Sequence, residues 1–497
     1  VPRIFLVHAD LPCFGLIGPP YMNTLDIAVI AAYFVLTMAV GLALTQRSST
    51  AEDYFLGARR LPAWAVMLSV VATETSALTV ISVPGIAARG DFSFLQLAMG
   101  YLVGRIAVAA WLLPGYFSGT QHTAYERLQR RFGVATRQSL SAVFLFTRLL
   151  ADGVRIFAGA IPLALITGWD VSWAIVAMGG LTLLYTAFGG MRAVVWTDVL
   201  QLGVFIAGGI AVLIVALQMA GGIEQAWTRA EQAGKLQIFD FRLEAPFGFL
   251  GGLVGGALLS AASHGTDHLI VQRLLATRSL SDARFALVGS GVVVILQFAL
   301  FLSVGTALWA AGHAPADLKG DELMPRFVLE QLPAGLAGLV IAGVLAAAMS
   351  TISSSISALA SSMTHDLYAT WSGRSDGEHL LRVGRAFSWL WGVLLTATAL
   401  AFHALAGGRE TPVVVLALSV AAATYGALLG AVVLSGPVGR SVAGRDVILG
   451  AAVSVASMLV VVASTRLSFL WTLPAGTALC VFVAWAGAAW RRRAARA

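Results

Sequence analysis

Charge is what this chain has least of. Asp, Glu, Lys and Arg make up 11% of its 497 residues, against 58% hydrophobic ones. A water-soluble domain needs a far larger charged surface, so a soluble enzyme or binding module is excluded. Cysteine is nearly absent. Cys13 and Cys480 stand near opposite ends of the chain and imply no disulfide framework. Long polar stretches are missing too, and those near 222–245 and 313–333 are too short to hold a soluble catalytic domain. The net charge of +7 does not mark a nucleic-acid partner, because the basic residues are spread through alternate loops.

Long apolar runs are abundant. Mean hydropathy is +0.83, and runs of about 20 residues, the length that crosses a bilayer, recur along the whole chain. About thirteen spans are expected, near 25–46, 62–88, 93–117, 139–166, 171–188, 194–220, 247–274, 283–311, 334–368, 383–405, 412–435, 446–464 and 469–490. Lipid cannot hydrate backbone groups, so these spans are read as helices. Twenty of the 32 basic residues, all arginines, fall in stretches 47–60, 127–137, 192, 273–284, 374–385, 440–445 and 491–496. The positive-inside rule puts those loops and the C-terminus in the cytoplasm and, with an odd span count, the N-terminus outside. Residues 1–21 are expected to be an extension outside the core, with a leader as the alternative.

Polar residues inside a span are costly, so each is a functional candidate. Segment 345–368 carries Ser350, Thr351, Ser353, Ser354, Ser355 and Ser357, and at helical spacing Ser350, Ser353, Ser354 and Ser357 share a face. Neutral oxygens at bilayer depth suit a partly dehydrated monovalent cation; close helix packing is the plainer reading. Thr73, Glu74, Thr75, Ser76 and Thr79 interrupt span 62–88, just before Pro84. A helix broken there frees carbonyls and helix ends for ion and solute; back-bonding of the hydroxyls to their own helix is the alternative. Arg148, Asp152 and Arg155 stand at i,i+4 and i,i+3 spacing and can neutralise one another, or one arginine can take a solute carboxylate. Asp198 reads as a helix cap or a cation ligand. Ser260, Ser263, His264, Thr266, Asp267, His268 and Gln272 crowd span 247–274; His264, Asp267 and His268 could imitate a zinc site, although capping and inter-helix hydrogen bonds explain them as well.

Together, EDYFLGARRLPAW (52–64), ATETSALTVISVPG (72–85), FGGMRAVVWTDVLQ (188–201), SHGTDHLIVQRLLATRS (263–279) and segment 345–368 resemble the sodium:solute symporter family, whose members carry sugars, proline, sialic acid, monocarboxylates, vitamins and iodide. The likeness runs from Met22 to the C-terminus. It implies an all-α, polytopic membrane protein of the leucine-transporter type, with a 5+5 inverted repeat and broken first and sixth core helices. Residues 22–497 then form one transporter domain: a leading helix (25–46), a first repeat (62–220), a second repeat (247–435) and peripheral helices (446–490).

The resemblance also implies site residues. A sodium ion would be held by backbone carbonyls of Ala72, Thr75 and Ala347 and hydroxyls of Ser350 and Thr351. A second would use Asp198, Ser350, Ser353 and Ser354, which makes two ions per solute the expectation. The solute would contact Ser76, Thr79, Phe94, Ser260, Ser263 and His264, with Arg148 and Gln297 as further candidates, and Glu74 and Asp267 would serve coupling or gating. Ala98 and Val294 stand where sugar-carrying relatives have polar residues, which weighs against a sugar, while the hydroxyl-rich segment 345–368 and a buried arginine fit an anion such as a monocarboxylate or sialic acid. The implied protein is therefore no enzyme. It is a sodium-coupled importer in a cell membrane, the bacterial inner membrane by expectation, with sodium, a small solute and the lipid bilayer as partners and no organic cofactor, nucleic acid or obligate protein partner. A neutral-solute or proton-coupled transporter is the alternative, the latter with Glu74 and Asp198 as proton carriers. A solute sensor of the same fold and a membrane-embedded metalloenzyme are further ones.

Overall fold

The computed structural model describes residues 23–43, 49–119, 121–242, 247–406, 424–464 and 469–495. Within them the chain is helical, as a backbone immersed in lipid must be, and the sole extended pairing is one isolated bridge between Leu61 and Thr277. Eight helices of the described residues are long and apolar enough to cross a membrane. Exposed tryptophans such as Trp111, Trp173 and Trp490 suit the amphipathic belts at a bilayer's two faces.

The principal helices begin with α1 (Thr24–Ala43), α2 (Ala63–Glu74), α3 (Ala77–Arg89), α4 (Leu95–Tyr116), α5 (Val134–Thr167) and α6 (Val171–Met219). There follow α7 (Phe249–Gly265), α8 (His268–Leu275), α9 (Leu280–Ala310), α10 (Gly320–Gln331) and α11 (Leu336–Ser372). The last four are α12 (Gly377–Ala406), α13 (Thr424–Leu434), α14 (Gly444–Ser464) and α15 (Phe469–Ala494).

Two expected spans arrive as pairs of half-helices. Span 62–88 divides into α2 and α3 at Thr75 and Ser76, both in extended backbone. Span 247–274 divides into α7 and α8 at Thr266 and Asp267, where the Asp267 carboxylate caps α8 by accepting from Leu269 N at 2.9 Å. Expected spans 171–188 and 194–220 are the two helical arms of α6, which meet at a kink at Gly190 where the backbone is not helical. Its 49 residues would run roughly 74 Å if straight, more than twice the ~30 Å of bilayer hydrocarbon, so the bend is needed. Spans 283–311, 383–405, 446–464 and 469–490 correspond to α9, α12, α14 and α15. The first half of span 412–435, residues 412–423, and the extension 1–21 lie outside the described residues.

Helix α11 is the central post. In its most apolar window 89% of residues are buried, against 28% for α1. It packs on α5, α6, α8, α12 and α2. The leading helix grips its start: the Asp26 carboxylate accepts from Gly335 N and Gly338 N at 2.7 and 2.8 Å. These amides are orphan donors at a helix N-terminus, which a carboxylate satisfies and whose dipole it complements.

The bend in α6 depends on one residue. Gly190 has φ 58° and ψ −155°, a backbone region that residues with a side chain avoid at a cost of about 1–3 kcal/mol. A Cβ there would also sit 2.6 Å from the Tyr54 carbonyl oxygen. Gly190→Val is therefore expected to lower the folded yield and melting temperature sharply, and Gly180→Ala, where a Cβ meets open space, to leave both unchanged. Equal melting of the two variants would refute the assignment.

Candidate functional site

The break between α2 and α3 faces α11. In a continuous helix Ser76 N–H would bond the Ala72 carbonyl; here it turns to Thr79 Oγ1 at 3.4 Å, which releases that carbonyl. Thr75 Oγ1 donates to Val71 O at 2.7 Å and lies 3.1 Å from Gln297 Oε1 on α9. Between the break and α11 lies a cavity of about 10 Å³, lined by Ala72, Thr75, Gln201, Leu202, Phe205, Ala346, Ala347 and Ser350. That is room for about one water-sized body, between the segment that holds the freed Ala72 carbonyl and Ser350, whose hydroxyl is turned to Asp198. Four of the five residues expected around a first sodium thus line one cavity. Thr351, the fifth, turns its hydroxyl back to Ala347 O at 3.2 Å.

Beside the cavity is Asp198 of α6, fully buried. It accepts from Ser350 Oγ at 2.6 Å and Ser69 Oγ at 2.5 Å, and Arg273 Nη2 of α8 is 3.1 Å away. The same guanidinium bonds Ser354 Oγ, whose hydroxyl also lies 2.6 Å from Ser350 O. Ser353 donates to Ser350 O at 3.0 Å. The residues expected around a second sodium are therefore neighbours, with an arginine among them. Asp198 sits inside α6 rather than at its start, so it is not a helix cap.

Glu74 is not a lone carboxylate. Arg105 of α4 donates to both its oxygens at 2.5 and 2.6 Å and also reaches Ser290 Oγ of α9. His264 Nε2 of α7 lies 2.8 Å from Glu74 Oε2, without the alignment of a hydrogen bond. The other ring nitrogen faces Ser263 Oγ at 2.9 Å and Ser260 Oγ at 3.4 Å. Glu74, Ser260, Ser263 and His264 are thus brought together. Phe94 stacks edge-on against Phe247 and Phe298.

Arg148 is fully engaged. It bonds Asp152 at 3.3 Å within α5, and beyond it Asp267 and, at 2.7 Å, Tyr425 Oη of α13. The intrahelical pairing with Asp152 forms as its spacing implies, and Arg155 joins at 3.2 Å. The zinc-like trio separates: His264 turns to Glu74, Asp267 to Arg148, and His268 to Ser361 Oγ at 3.1 Å. That alternative fails on geometry. No group of three or more His, Cys, Asp or Glu able to hold a metal occurs among the described residues.

Three buried groups escaped the sequence reading. Arg105 lies inside an apolar span, which was itself a signal. Arg273 counted as a loop cation, yet it belongs to α8, every residue of which is buried. Ser69 lies one turn before the recognisable cluster.

Removing Arg105 takes away the one guanidinium that bonds both Glu74 oxygens and leaves the carboxylate with His264 beside it. Arg105→Gln is expected to cost roughly 3 kcal/mol, as loss of one partner of a buried pair does, read as a fall in melting temperature. Glu74→Gln/Arg105→Gln should recover most of it. If the double variant melts no higher than the single one, the pairing is not what holds this site.

A family model described as "Sodium:solute symporter family" matches residues 54–438. The sodium/sialic acid symporter NanT of Aliivibrio fischeri is 29% identical over 93% of this chain and 92% of its own length. Sodium-coupled monocarboxylate transporter 2 of Bos taurus is 30% identical over 82% of this chain and 67% of its own. Among solved structures, a Na+-coupled sialic acid symporter in a substrate-bound, outward-open state superposes with a TM-score of 0.83 at 25% identity, covering 94% of this chain and 98% of that one.

Proposed function

The chain belongs to the sodium:solute symporter family and is a multi-pass membrane protein that couples solute transport to sodium; we propose that it imports a small organic anion, using the cavity between Ala72 and Ser350 as its sodium site. The observation that carries the site is the coincidence of a helix break, a freed carbonyl and a buried hydroxyl around a space of about 10 Å³. Carbonyl and hydroxyl oxygens suit a hard monovalent cation. A second ion at Asp198, Ser350, Ser353 and Ser354 has less support, because Arg273 already gives that carboxylate a cation. The proton-coupled reading loses ground for a related reason. Glu74 and Asp198 are each the partner of a buried arginine, and protonating either would leave a guanidinium unpaired.

The anion reading rests on relatives that carry sialic acid or monocarboxylates and on Arg148. Both carboxylates that hold Arg148 have other partners: Asp152 has Arg155 and Ser355, and Asp267 has Tyr425 and Leu269 N. A solute carboxylate can therefore take over part of the guanidinium without stranding either one. Ser76, Thr79, Phe94, Ser263, His264 and Gln297 line the solute's path on this reading, and Ser260 supports the His264 ring.

The mechanism is alternating access. Helices α2–α4 and α7–α9 form a bundle that rocks against a scaffold of α5, α6, α11 and α12, the two repeats of five helices being inverted copies. Sodium joins α2 to α11 and favours the outward-facing arrangement, solute then binds, and the cytoplasmic side opens with α8 as its gate. The arginine-rich loops face the cytoplasm. Each unit charge moved inward gains about 2.3 kcal/mol per 100 mV.

Two outcomes are expected. Ser350→Ala should raise the sodium concentration for half-maximal uptake at least about tenfold while leaving the folded yield intact; unchanged sodium dependence would refute the site. In a thermal-shift panel of monocarboxylates, sialic acids, sugars, amino acids and vitamins, an anion should stabilise the purified protein in sodium chloride and not in choline chloride. Sodium-dependent stabilisation by a neutral sugar alone would overturn the anion assignment.

A further inference from the structure

The half-helix α8 is joined to its surroundings by polar contacts rather than by apolar packing alone. His268 Nε2 lies 3.1 Å from Ser361 Oγ, and Gln272 Nε2 donates to Ser357 Oγ at 3.2 Å. Arg273 Nη2 reaches Ser354 Oγ. Numbers rise along α8 as they fall along α11, so the two run antiparallel and their side chains meet about once per turn. The lower part of the serine run is thus a seam for α8, whereas Ser350 borders the ion cavity.

Arg273 ties this seam to the cavity. Its Nε donates to Ser69 Oγ at 2.9 Å, its Nη1 to Leu269 O at 2.9 Å, and its Nη2 lies 3.1 Å from Asp198 Oδ2. Ser350 Oγ donates to the other oxygen, Oδ1, at 2.6 Å. A buried ion pair is a poor device for stability, since apolar residues of similar volume often do as well. Its value lies in fixing one arrangement of α2, α6, α8 and α11.

We propose that Arg273 is a positioning residue that transmits sodium occupancy of the cavity to α8, through Ser350 and Asp198. The inference rests on the cavity being the sodium site. A sodium ion bound to the lone pair of Ser350 Oγ draws density from that oxygen, so its hydrogen becomes a better donor to Asp198. Charges then alternate along the chain of contacts: sodium, hydroxyl dipole, carboxylate, guanidinium. Asp198 is held toward Arg273 and α8 stays on α11. Without sodium, the Ser350 hydroxyl can return to a carbonyl of its own helix, as serine in helices does. Asp198 is then free to turn and α8 to lift. Coupling of this kind is reciprocal, so sodium must bind more weakly when α8 is off the seam.

The test uses the full chain with Cys13→Ser and Cys480→Ser, and Ser361→Cys as a reporter under α8. Maleimide labelling of purified protein in nanodiscs is timed in sodium chloride and in choline chloride, and the melting temperature is read in both. With Arg273 present, sodium should slow labelling about tenfold. With Arg273→Gln the slowing should fall below about twofold, although sodium still raises the melting temperature, and Arg273→Lys should keep most of it. Asp198→Asn/Arg273→Gln, which strands no charge, serves in its place where Arg273→Gln does not fold. Full sodium protection in either neutralised variant overturns the proposal, as does equal labelling in the two salts with Arg273 present. Failure of the underlying site reading is separate: Ser350→Ala would then need no more sodium than the parent chain for the same rise in melting temperature.

Discussion

The contact on which the structure depends is the one between the broken helix α2–α3 and the unbroken helix α11. A helix break inside a bilayer leaves backbone groups with neither a helical partner nor water, at several kcal/mol each if nothing meets them. Part of that demand is met locally, by the Thr79 hydroxyl, which accepts from Ser76 N. The remainder is offered to a space bordered by Ala347 and Ser350. On the proposed reading, ion binding at this place completes a backbone that lipid leaves incomplete. A break that were fully satisfied by its own side chains would have no use for sodium.

The buried charges divide by what they join. Glu74, Arg105 and His264, with Ser290, lie on α2, α4, α7 and α9, all within the proposed moving bundle, so they travel together and need not part. Arg273 and Arg148 differ, because each links α8 to a helix outside it: Arg273 to α6 and α11, Arg148 of α5 to Asp267 at the head of α8. These contacts must be exchanged whenever α8 moves. Arginine suits the task, since its fork of donors can release one acceptor while keeping others. In each case the acceptors also have alternatives: Ser69 and Ser350 for Asp198, Tyr425 and Leu269 N for Asp267.

Much of this was legible in the sequence, for reasons that also set the limit. Polar residues stand out in an apolar span, so the Thr-Glu-Thr-Ser interruption, Asp198 and the serine run announced themselves, and the interruption at 75–76 became a break because Thr and Ser offer the backbone local alternatives to the helix. Spacing within one helix is also readable, hence the Arg148–Asp152 pair. Partners across helices are not. Nothing in the spacing ties Arg105 to Glu74, 31 positions away, or Arg273 to Asp198, 75 positions away. Arg273 was misread because a cation near a span's end normally belongs to the cytoplasmic loop, whereas α8 is a buried half-helix. The two arms of α6 follow each other without a loop because the chain turns at Gly190 alone, whose backbone angles the sequence does not reveal.

Hydroxyls explain why such a seam can open at all. A serine in a helix has two nearly equivalent settings, bonded across to a neighbour or back to the carbonyl one turn earlier, and a single side-chain rotation exchanges them. Ser354 occupies both kinds of contact at once, with Arg273 on one side and the Ser350 carbonyl on the other. When α8 leaves, Ser354, Ser357 and Ser361 need no new partner beyond their own helix. An asparagine or a carboxylate at these positions would be left with buried groups unmet, at about 1–3 kcal/mol each, and the seam would lock. Apolar residues would let α8 slide without register. Serine and threonine give α11 a face that is specific when closed and would be satisfied when open, which is what the proposed gate requires.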